Sequence, residues 1–184
     1  MAYRNGTYVA FHADGNNIPG KTDIDYYNLM KAWAGKGDDD FTMINSHDKA
    51  SAVRDSSLKA TLRASLMKRL SNSKNMVLIV GETTHNDRDW VPFEIEQAVD
   101  YYKIPIIVAH TTFSGRIRNP DSLQYLWPAA LASRIVNNSA HAIHIPFKKA
   151  PLNAAIEQFS HDSLPQWSRT IYLESAYAAW GIEG

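Results

Sequence analysis

Cysteine is absent from the 184 residues of the sequence. Disulfide bonds, thiolate metal ligands and cysteine nucleophiles are therefore excluded. An excess of charge is absent too, because 19 Lys and Arg residues balance 19 Asp and Glu residues. Without a basic excess or a run of basic residues, the chain lacks the electrostatic footprint of a general nucleic-acid or anionic-membrane binder. We therefore expect neither nucleic acid nor membrane among its partners.

Long apolar runs are also missing. None approaches the ~20 residues that are needed to cross a bilayer, and the N-terminal stretch MAYRNGTYVAFHADGNN lacks the apolar core of a signal peptide. We expect a soluble, cytoplasmic protein. The length predicts one domain with a sizeable core. We assign residues 1–160 to this domain and expect the aromatic-rich residues 161–184 to pack on it.

Residues 76–102 are the most informative stretch of the chain. The apolar run MVLIV at residues 76–80 predicts a buried strand, which Gly81 and a polar loop end. Asp89 is a candidate N-cap for a helix that begins at Trp90, and Pro92 suits the first turn because N–H groups there lack intrahelical partners. One apolar stripe follows at helical spacing: Val91, Ile95, Ala98, Val99 and Tyr102.

Strand and helix patterns alternate along the rest of the chain. Further strands are predicted at residues 7–12, 41–45, 104–110 and 140–147. Further helices are predicted at residues 23–33 (with Asp23 as N-cap), 57–70, 119–127 and 151–159. Parallel neighbours need crossover connections, so this order predicts an α/β fold: a flavodoxin-like, five-stranded parallel sheet with helices on both faces.

Several familiar sites are excluded by motif. The chain has no GxGxxG after the first strand and no GxSxG elbow. A response-regulator receiver would carry an aspartate where the third strand ends, but the sequence there is Gly-Glu-Thr-Thr at residues 81–84. A dinucleotide-binding fingerprint, a receiver and an esterase are therefore disfavoured.

Histidines follow several predicted strands, at His12, His47, His85 and His110. They could form a metal site at the carboxyl edge of the sheet, but strand ends in any such fold are polar, and spacing alone does not define a metal site. We favour the second interpretation and expect no metal. His141 and His144 lie three apart in a strand and would face opposite sides of the sheet.

Glu94 is the sharpest candidate for chemistry. It lies one turn after Trp90, so a carboxylate and a large aromatic ring share a face at the start of a helix that follows a buried strand. Ligands bind at that edge of open α/β sheets. The alternative is a surface glutamate that the helix dipole stabilises by a few tenths of a kcal/mol up to about 1 kcal/mol. Trp90 and Phe93 can likewise be ordinary core residues.

The Phe11-His12 pair, the VLIVG run at residues 77–81 and the WVPFEI run at residues 90–95 together resemble the TIR-like family of bacterial defence proteins. The likeness is strongest to the TIR-like proteins of Thoeris anti-phage systems. It covers roughly residues 8–110 and implies a TIR-like fold. The loop at residues 46–56 matches the position through which TIR domains contact each other, although it lacks the proline-containing pattern of many TIR adaptors.

The resemblance implies cleavage of the nicotinamide–ribose bond of NAD⁺, of the NAD⁺ nucleosidase or ADP-ribosyl cyclase type. The product would be a nucleotide signal, cyclic by expectation, that activates a separate effector protein. No cofactor is implied, since NAD⁺ is the substrate. Glu94 matches the catalytic glutamate, and a carboxylate suits an oxocarbenium-like transition state. The substrate-binding candidates at the same edge are Phe11, His12, Asp14, His47, Thr83, Thr84, Trp90 and Phe93.

Two other functions remain open. The chain could be a non-catalytic TIR-like module that signals by self-association, in which case NAD⁺ would not turn over. It could also be a nucleoside-processing enzyme of similar sheet architecture, such as an N-glycoside transferase. Turnover of nucleosides but not of NAD⁺ would favour that last function.

Overall fold

Five parallel strands form the centre of the molecule in the order β2-β1-β3-β4-β5. The computed structural model describes residues 4–13, 23–35, 42–44 and 56–183. The strands are β1 (Gly6–Ala10), β2 (Thr42–Ile44), β3 (Ser73–Val80), β4 (Ile106–His110) and β5 (Ala142–Pro146). The predicted α/β class with a parallel sheet is confirmed, and the order is that of flavodoxin-like proteins. In this order the chain reverses direction across the sheet between β1 and β3.

Helices cover both faces of the sheet. They are α1 (Ile24–Ala34), α2 (Ser56–Ser71), α3 (Trp90–Glu96), α4 (Ala129–Val136), α5 (Lys149–Gln158) and α6 (Glu174–Ala179). Apolar residues of α2, α3 and α4 pack together on one face, whereas α1 and α5 pack on the other. We call these the α3 face and the α1 face.

The strands are buried on both sides, and their side chains alternate between the two faces. In β3, Met76, Leu78 and Val80 join the core of the α3 face, while Val77 and Ile79 join that of the α1 face. Period-two alternation requires this division. It explains why the sequence of β3 is a continuous apolar run rather than an alternation of polar and apolar residues.

Most predicted elements are present with shifted ends. The first strand ends at Ala10, so His12 lies beyond it, and the third strand begins earlier than predicted, at Ser73. The helix predicted at residues 57–70 is confirmed as α2, and its Leu62, Leu66 and Leu70 are buried in the core of the α3 face. These shifts arise because burial and pairing, which are non-local, set where a strand begins and ends.

The two predicted N-cap residues are confirmed in position but not in their hydrogen bonding. Asp23 and Asp89 occupy the N-cap positions of α1 and α3, but neither side chain makes a capping hydrogen bond. Instead, the Asp87 carboxylate accepts hydrogen bonds from the backbone N–H groups of Asp89 and Trp90, at 2.9 and 3.0 Å. A carboxylate at this place also faces the positive end of the helix dipole.

The helix after β3 changes its geometry before it ends. α3 continues into a π-helical turn, Gln97–Tyr101, in which the Tyr102 N–H bonds to the Gln97 carbonyl at 2.9 Å. Lys103 then adopts a left-handed φ of 55°. The Ile104 N–H closes back onto the Ala98 carbonyl at 3.0 Å, which caps the turn and directs the chain into β4.

The segment between β4 and β5 contains more structure than the sequence predicted. A 3-10 helix, Pro120–Leu126, matches the predicted short helix, and Asn119 caps it through the Asp121 N–H at 3.1 Å. The structure adds α4 after Pro128, a helix that we did not predict. Its Leu131 and Ile135 are fully buried.

Beyond α5, the chain returns to the edge of the sheet. Thr170 forms a parallel bridge with Ile143 of β5, and Asn75 of β3 donates hydrogen bonds to the Ile156 and Phe159 carbonyls.

Within the described residues, no helix is both long enough and apolar enough to cross a membrane.

Candidate functional site at the carboxyl edge of β1 and β3

Glu94 is completely buried, and its carboxylate contacts β1. The Tyr8 hydroxyl donates a hydrogen bond of 2.5 Å to Glu94 Oε1, and both side chains have 0% exposure. The contact forms because Tyr8 points to the α3 face, where the first turn of α3 lies directly against the sheet. It joins residues that are 86 positions apart in the chain.

Burial rules out the surface-glutamate alternative for Glu94. A carboxylate removed from water is costly unless hydrogen bonds or counter-charges compensate, so a helix-surface role would leave it exposed. The pKa of Tyr8 is raised well above 10.0 by burial, by the Glu94 charge and by their hydrogen bond, while the Arg69 charge lowers it. Tyr8 therefore remains a hydrogen-bond donor at neutral pH.

The two predicted aromatic residues of α3 lie beside Glu94 and beneath basic residues of α2. Trp90 and Phe93 are half-buried. Lys59 Nζ lies 5.6 Å from the centre of the Trp90 ring, and the Arg63 guanidinium lies 5.0 Å from that of Phe93. Both cations also pair with Asp89, at 2.5 and 3.3 Å. The start of α3 is thus an aromatic surface with cations held over it.

A second buried carboxyl group joins β3 to the start of α1. Asp23 is 4% exposed and accepts a hydrogen bond of 2.7 Å from the Thr84 hydroxyl. The Gly81 N–H donates to the same hydroxyl at 2.7 Å. A Cβ on Gly81 would lie 2.1 Å from Asp23 Oδ1, so only glycine allows this close approach.

The pKa of Asp23 is raised to about 6, chiefly by burial. The hydrogen bond from Thr84 and the neighbouring His12 act in the opposite direction. A carboxyl group in this range titrates close to neutrality, as groups at functional sites often do.

His12 and Asp87 bridge the loops after β1 and β3. His12 Nδ1 lies 3.0 Å from Asp87 Oδ2, and their side chains are 12% and 8% exposed. Asp87 thus fixes the orientation of the imidazole while its other oxygen caps α3. A carboxylate that orients a histidine is a recurrent arrangement for proton transfer and for hydrogen bonding to a ligand. This dyad lies where β1 and β3 diverge, which is where flavodoxin-like folds bind ligands.

The structure divides the predicted substrate-binding residues between the two faces. Phe11 is 1% exposed, stacks on Tyr27 with ring centres 4.7 Å apart and belongs to the core of the α1 face. Trp90 and Phe93 pack against the α3 face. The Thr84 hydroxyl is buried and engaged, whereas Thr83 is half-buried.

The histidines that the structure describes do not form a metal-binding cluster. Within the described ranges, no cluster of three or more metal-ligating side chains occurs. His110 instead pairs with His144 of β5, Nε2 to Nδ1 at 3.3 Å, and His144 Nε2 lies 3.0 Å from the Ser168 carbonyl. Burial lowers the pKa of His110 to about 3 and that of His144 to about 4. His47 and Asp14 lie outside the described residues.

Sequence reasoning missed Tyr8, Asp87 and the buried role of Asp23. A tyrosine in a buried strand carries no signal for its partner, because the partner depends on which helix covers that face. Asp87 did carry a signal in the sequence, because an acidic residue two or three positions before a predicted helix can cap the N-terminus of that helix.

The fold and the clusters at this edge define an α/β protein of flavodoxin-like topology with titratable groups at the switch point between β1 and β3. The family model "Thoeris protein ThsB, TIR-like domain" matches residues 8–115, which is more than half of the chain. The chain belongs to this TIR-like family, and membership supports a role in Thoeris defence. The matched region begins at Tyr8 and includes Glu94 and the His12–Asp87 dyad.

Proposed function

We propose that this protein cleaves the nicotinamide–ribose bond of NAD⁺ and makes an ADP-ribose-derived, cyclic signal in anti-phage defence. The observation that carries the proposal is the buried Glu94, which follows Trp90 by one turn and bonds to Tyr8 at 2.5 Å. Family membership gives that residue pattern its context. A buried carboxylate with a defined donor is typical of a functional site.

In the proposed reaction, the C–N bond between ribose and nicotinamide breaks and its electron pair leaves with nicotinamide. Nicotinamide departs as a neutral molecule from a cationic ring, so no general acid is required. The ribosyl carbon becomes electron-deficient, and the Glu94 carboxylate stabilises that developing charge. Attack by water gives ADP-ribose, whereas attack by a nucleophile within the ADP-ribosyl group gives a cyclic molecule. Either attack releases one proton.

Neighbouring residues have distinct proposed roles. Trp90 and Phe93 supply an aromatic surface for the nicotinamide or adenine ring and exclude water, which favours cyclisation over hydrolysis. The His12–Asp87 dyad contacts ribose hydroxyls. We retain Asp14, His47 and Thr83 as candidates for contacts with ribose or phosphate. Phe11 and Thr84, which are buried and engaged, support the site from behind rather than touching the substrate.

The experiment compares nicotinamide release from NAD⁺ by the wild type and by Glu94→Gln, with products identified by mass spectrometry. Reactions should contain lysate from infected or uninfected cells, so that an activating trigger from the phage is present in one arm. Glu94→Gln keeps the size of the side chain and should abolish turnover. Glu96→Gln is the matched control, since Glu96 is exposed on the same helix and should retain activity. Equal turnover in the two variants would refute the role of Glu94.

One observation favours a second function, a non-catalytic module that signals by self-association. Glu94 has 0% exposure, so substrate does not reach its carboxylate without movement of the surrounding side chains. This alternative predicts no NAD⁺ turnover under any condition. It also predicts that Asp48→Lys or Arg54→Glu, in the loop at residues 46–56, abolishes protection against phage in a plaque assay while Glu94→Gln protects normally.

The remaining proposed partners follow from the first function. NAD⁺ is the substrate, further copies of this chain complete the active assembly, and an effector protein recognises the product. Purified effector activated by the reaction mixture of the wild type, but not by that of Glu94→Gln, would support this arrangement.

A further inference from the structure

A cleft of about 420 Å³ lies between the loop after β4 and the C-terminal helix α6. Arg116 and Arg118 line it from the loop, and residues 174–183 line it from the other side. No lining residue comes from β1, α2 or α3, which carry the Glu94 site. We call it the α6 cleft. Its volume is in the range of small-molecule sites.

The wall formed by α6 has a buried residue and is held by contacts within the C-terminal segment. Tyr177 is 1% exposed, and its ring packs edge-on against Trp180 with centres 5.5 Å apart. The Ile182 N–H bonds to the Tyr177 carbonyl at 3.0 Å, and Gly181, with φ of 66°, allows the chain to turn back. The cleft is therefore preformed on this side, which lowers the entropic cost of binding.

The opposite wall carries two guanidinium groups with unused donors. Arg116 Nη1 donates to Glu174 Oε2 at 2.7 Å, but Arg116 Nε is buried and makes no hydrogen bond. Buried donors without partners are rare and costly. Arg118 is exposed and has no ion pair within the described part of the chain.

The ion pair of Arg116 is suited to exchange. The Glu174 side chain is 81% exposed, whereas that of Arg116 is 18% exposed. An exposed pair contributes little to stability, and Glu174 uses only one edge of the guanidinium. An oxyanion that accepted from Nε and Nη2, which share one edge of the guanidinium, would satisfy the orphaned donor and make the bidentate contact that arginine favours. Its negative charge would also repel the Glu174 carboxylate from the same guanidinium.

We propose that the α6 cleft binds a small molecule with a phosphate or carboxylate group, which displaces Glu174 from Arg116 and also contacts Arg118. Glu183 lies at the same cleft, so two carboxylates balance the two guanidiniums before binding. Geometry and the release of Glu174, rather than net attraction, then decide the affinity. This site does not depend on NAD⁺ cleavage.

The test uses the full chain and isothermal titration calorimetry with two probes, inorganic pyrophosphate and citrate. Binding of pyrophosphate alone assigns a phosphate ligand, binding of citrate alone assigns a carboxylate ligand, and binding of both supports their shared chemistry. Arg118→Gln should weaken binding about fivefold or more, as expected for loss of a charged hydrogen bond. Lys68→Gln removes the same charge from an exposed position on α2 and should change affinity less than about twofold.

A second pair of variants tests the displacement. Glu174→Gln should tighten binding, because it removes the competing carboxylate, whereas Glu157→Gln, an exposed residue on α5, should not. Glu94→Gln should bind both probes normally, and amide NMR shifts should appear at Gly181 and Ile182. The proposal fails if neither probe saturates, if Arg118→Gln and Lys68→Gln behave alike, or if Glu94→Gln abolishes binding.

Discussion

Replacing Tyr8 with phenylalanine removes one hydroxyl from the buried Tyr8–Glu94 pair and leaves the ring in place. The lost bond is short, 2.5 Å, ends on a carboxylate and lies at 0% exposure. Hydrogen bonds to charged groups contribute about 1.5–3 kcal/mol. Because solvent does not reach Glu94 to replace the hydroxyl, we expect Tyr8→Phe to lower the free energy of unfolding by an amount in that range.

The measurement is equilibrium unfolding in urea followed by tryptophan fluorescence. Tyr125→Phe is the matched control, since Tyr125 is 67% exposed and should change stability by less than about 0.5 kcal/mol. A double-mutant cycle with Glu94→Gln isolates the charge in the pair, because an amide oxygen still accepts from the Tyr8 hydroxyl but is neutral. Tyr8→Phe should therefore destabilise the Glu94→Gln protein substantially less than it destabilises the wild type.

The same variant tests whether Tyr8 positions Glu94 for catalysis. Because the hydroxyl holds the carboxylate in place, its loss should lower kcat more than it changes KM. We also expect kcat to fall by up to about 100-fold, because a catalytic group that is misplaced by 1 Å can cost that much. Tyr8→Phe with stability within about 0.5 kcal/mol of the wild type and an unchanged kcat would refute the reasoning.

Three further variants test the carboxyl edge and the histidine pair. The pKa of Asp23 is raised from 3.8 to about 6. Its contribution to stability is therefore present below pH 3.8 and is lost as pH rises through about 6. In calorimetry, the wild type should lose roughly 3 kcal/mol of unfolding free energy over this pH range, and Asp23→Asn should not show that loss. Gly81→Ala should destabilise by about 1–3 kcal/mol in urea unfolding, because its Cβ would meet the Asp23 carboxyl. The pKa values of His110 and His144 are lowered from 6.5 to about 3 and about 4. Their contribution to stability is therefore present above pH 6.5 and falls as pH drops towards the lowered values. His144→Gln should make the unfolding free energy fall less steeply on the acid side of the stability curve.

Controls for these variants come from the chain itself. His161→Gln changes a partly exposed histidine that lies beside Asp162 and is the matched control for His144→Gln. Gly35→Ala places a Cβ 3.4 Å from the nearest atom and should be tolerated. If His144→Gln and His161→Gln have equal pH profiles, or if Gly81→Ala is as stable as Gly35→Ala, the contacts proposed for the buried groups are wrong.

Local pattern was enough to identify the elements that carry the site. The run at residues 76–80 lies in β3, the helix predicted at residues 57–70 is α2, and α3 begins at Trp90 as predicted. These elements can be predicted because a strand buried on both faces and an amphipathic helix impose their own periods on neighbouring residues. Residues 129–136 escaped prediction as α4 because the preceding proline and the short length of the helix weakened the pattern.

Only the tertiary structure decided which side chains meet. Tyr8 reaches Glu94 across 86 residues and His110 reaches His144 across 34, and both contacts depend on the order of strands and on which helix covers which face. Asp23 was predicted as a helix cap but is a buried carboxyl held by Thr84. Sequence alone determined the class of fold and pointed to Glu94, because periodicity and short motifs are local. Its burial and its partner were decided by the packing of α3 on the sheet, which no local pattern encodes.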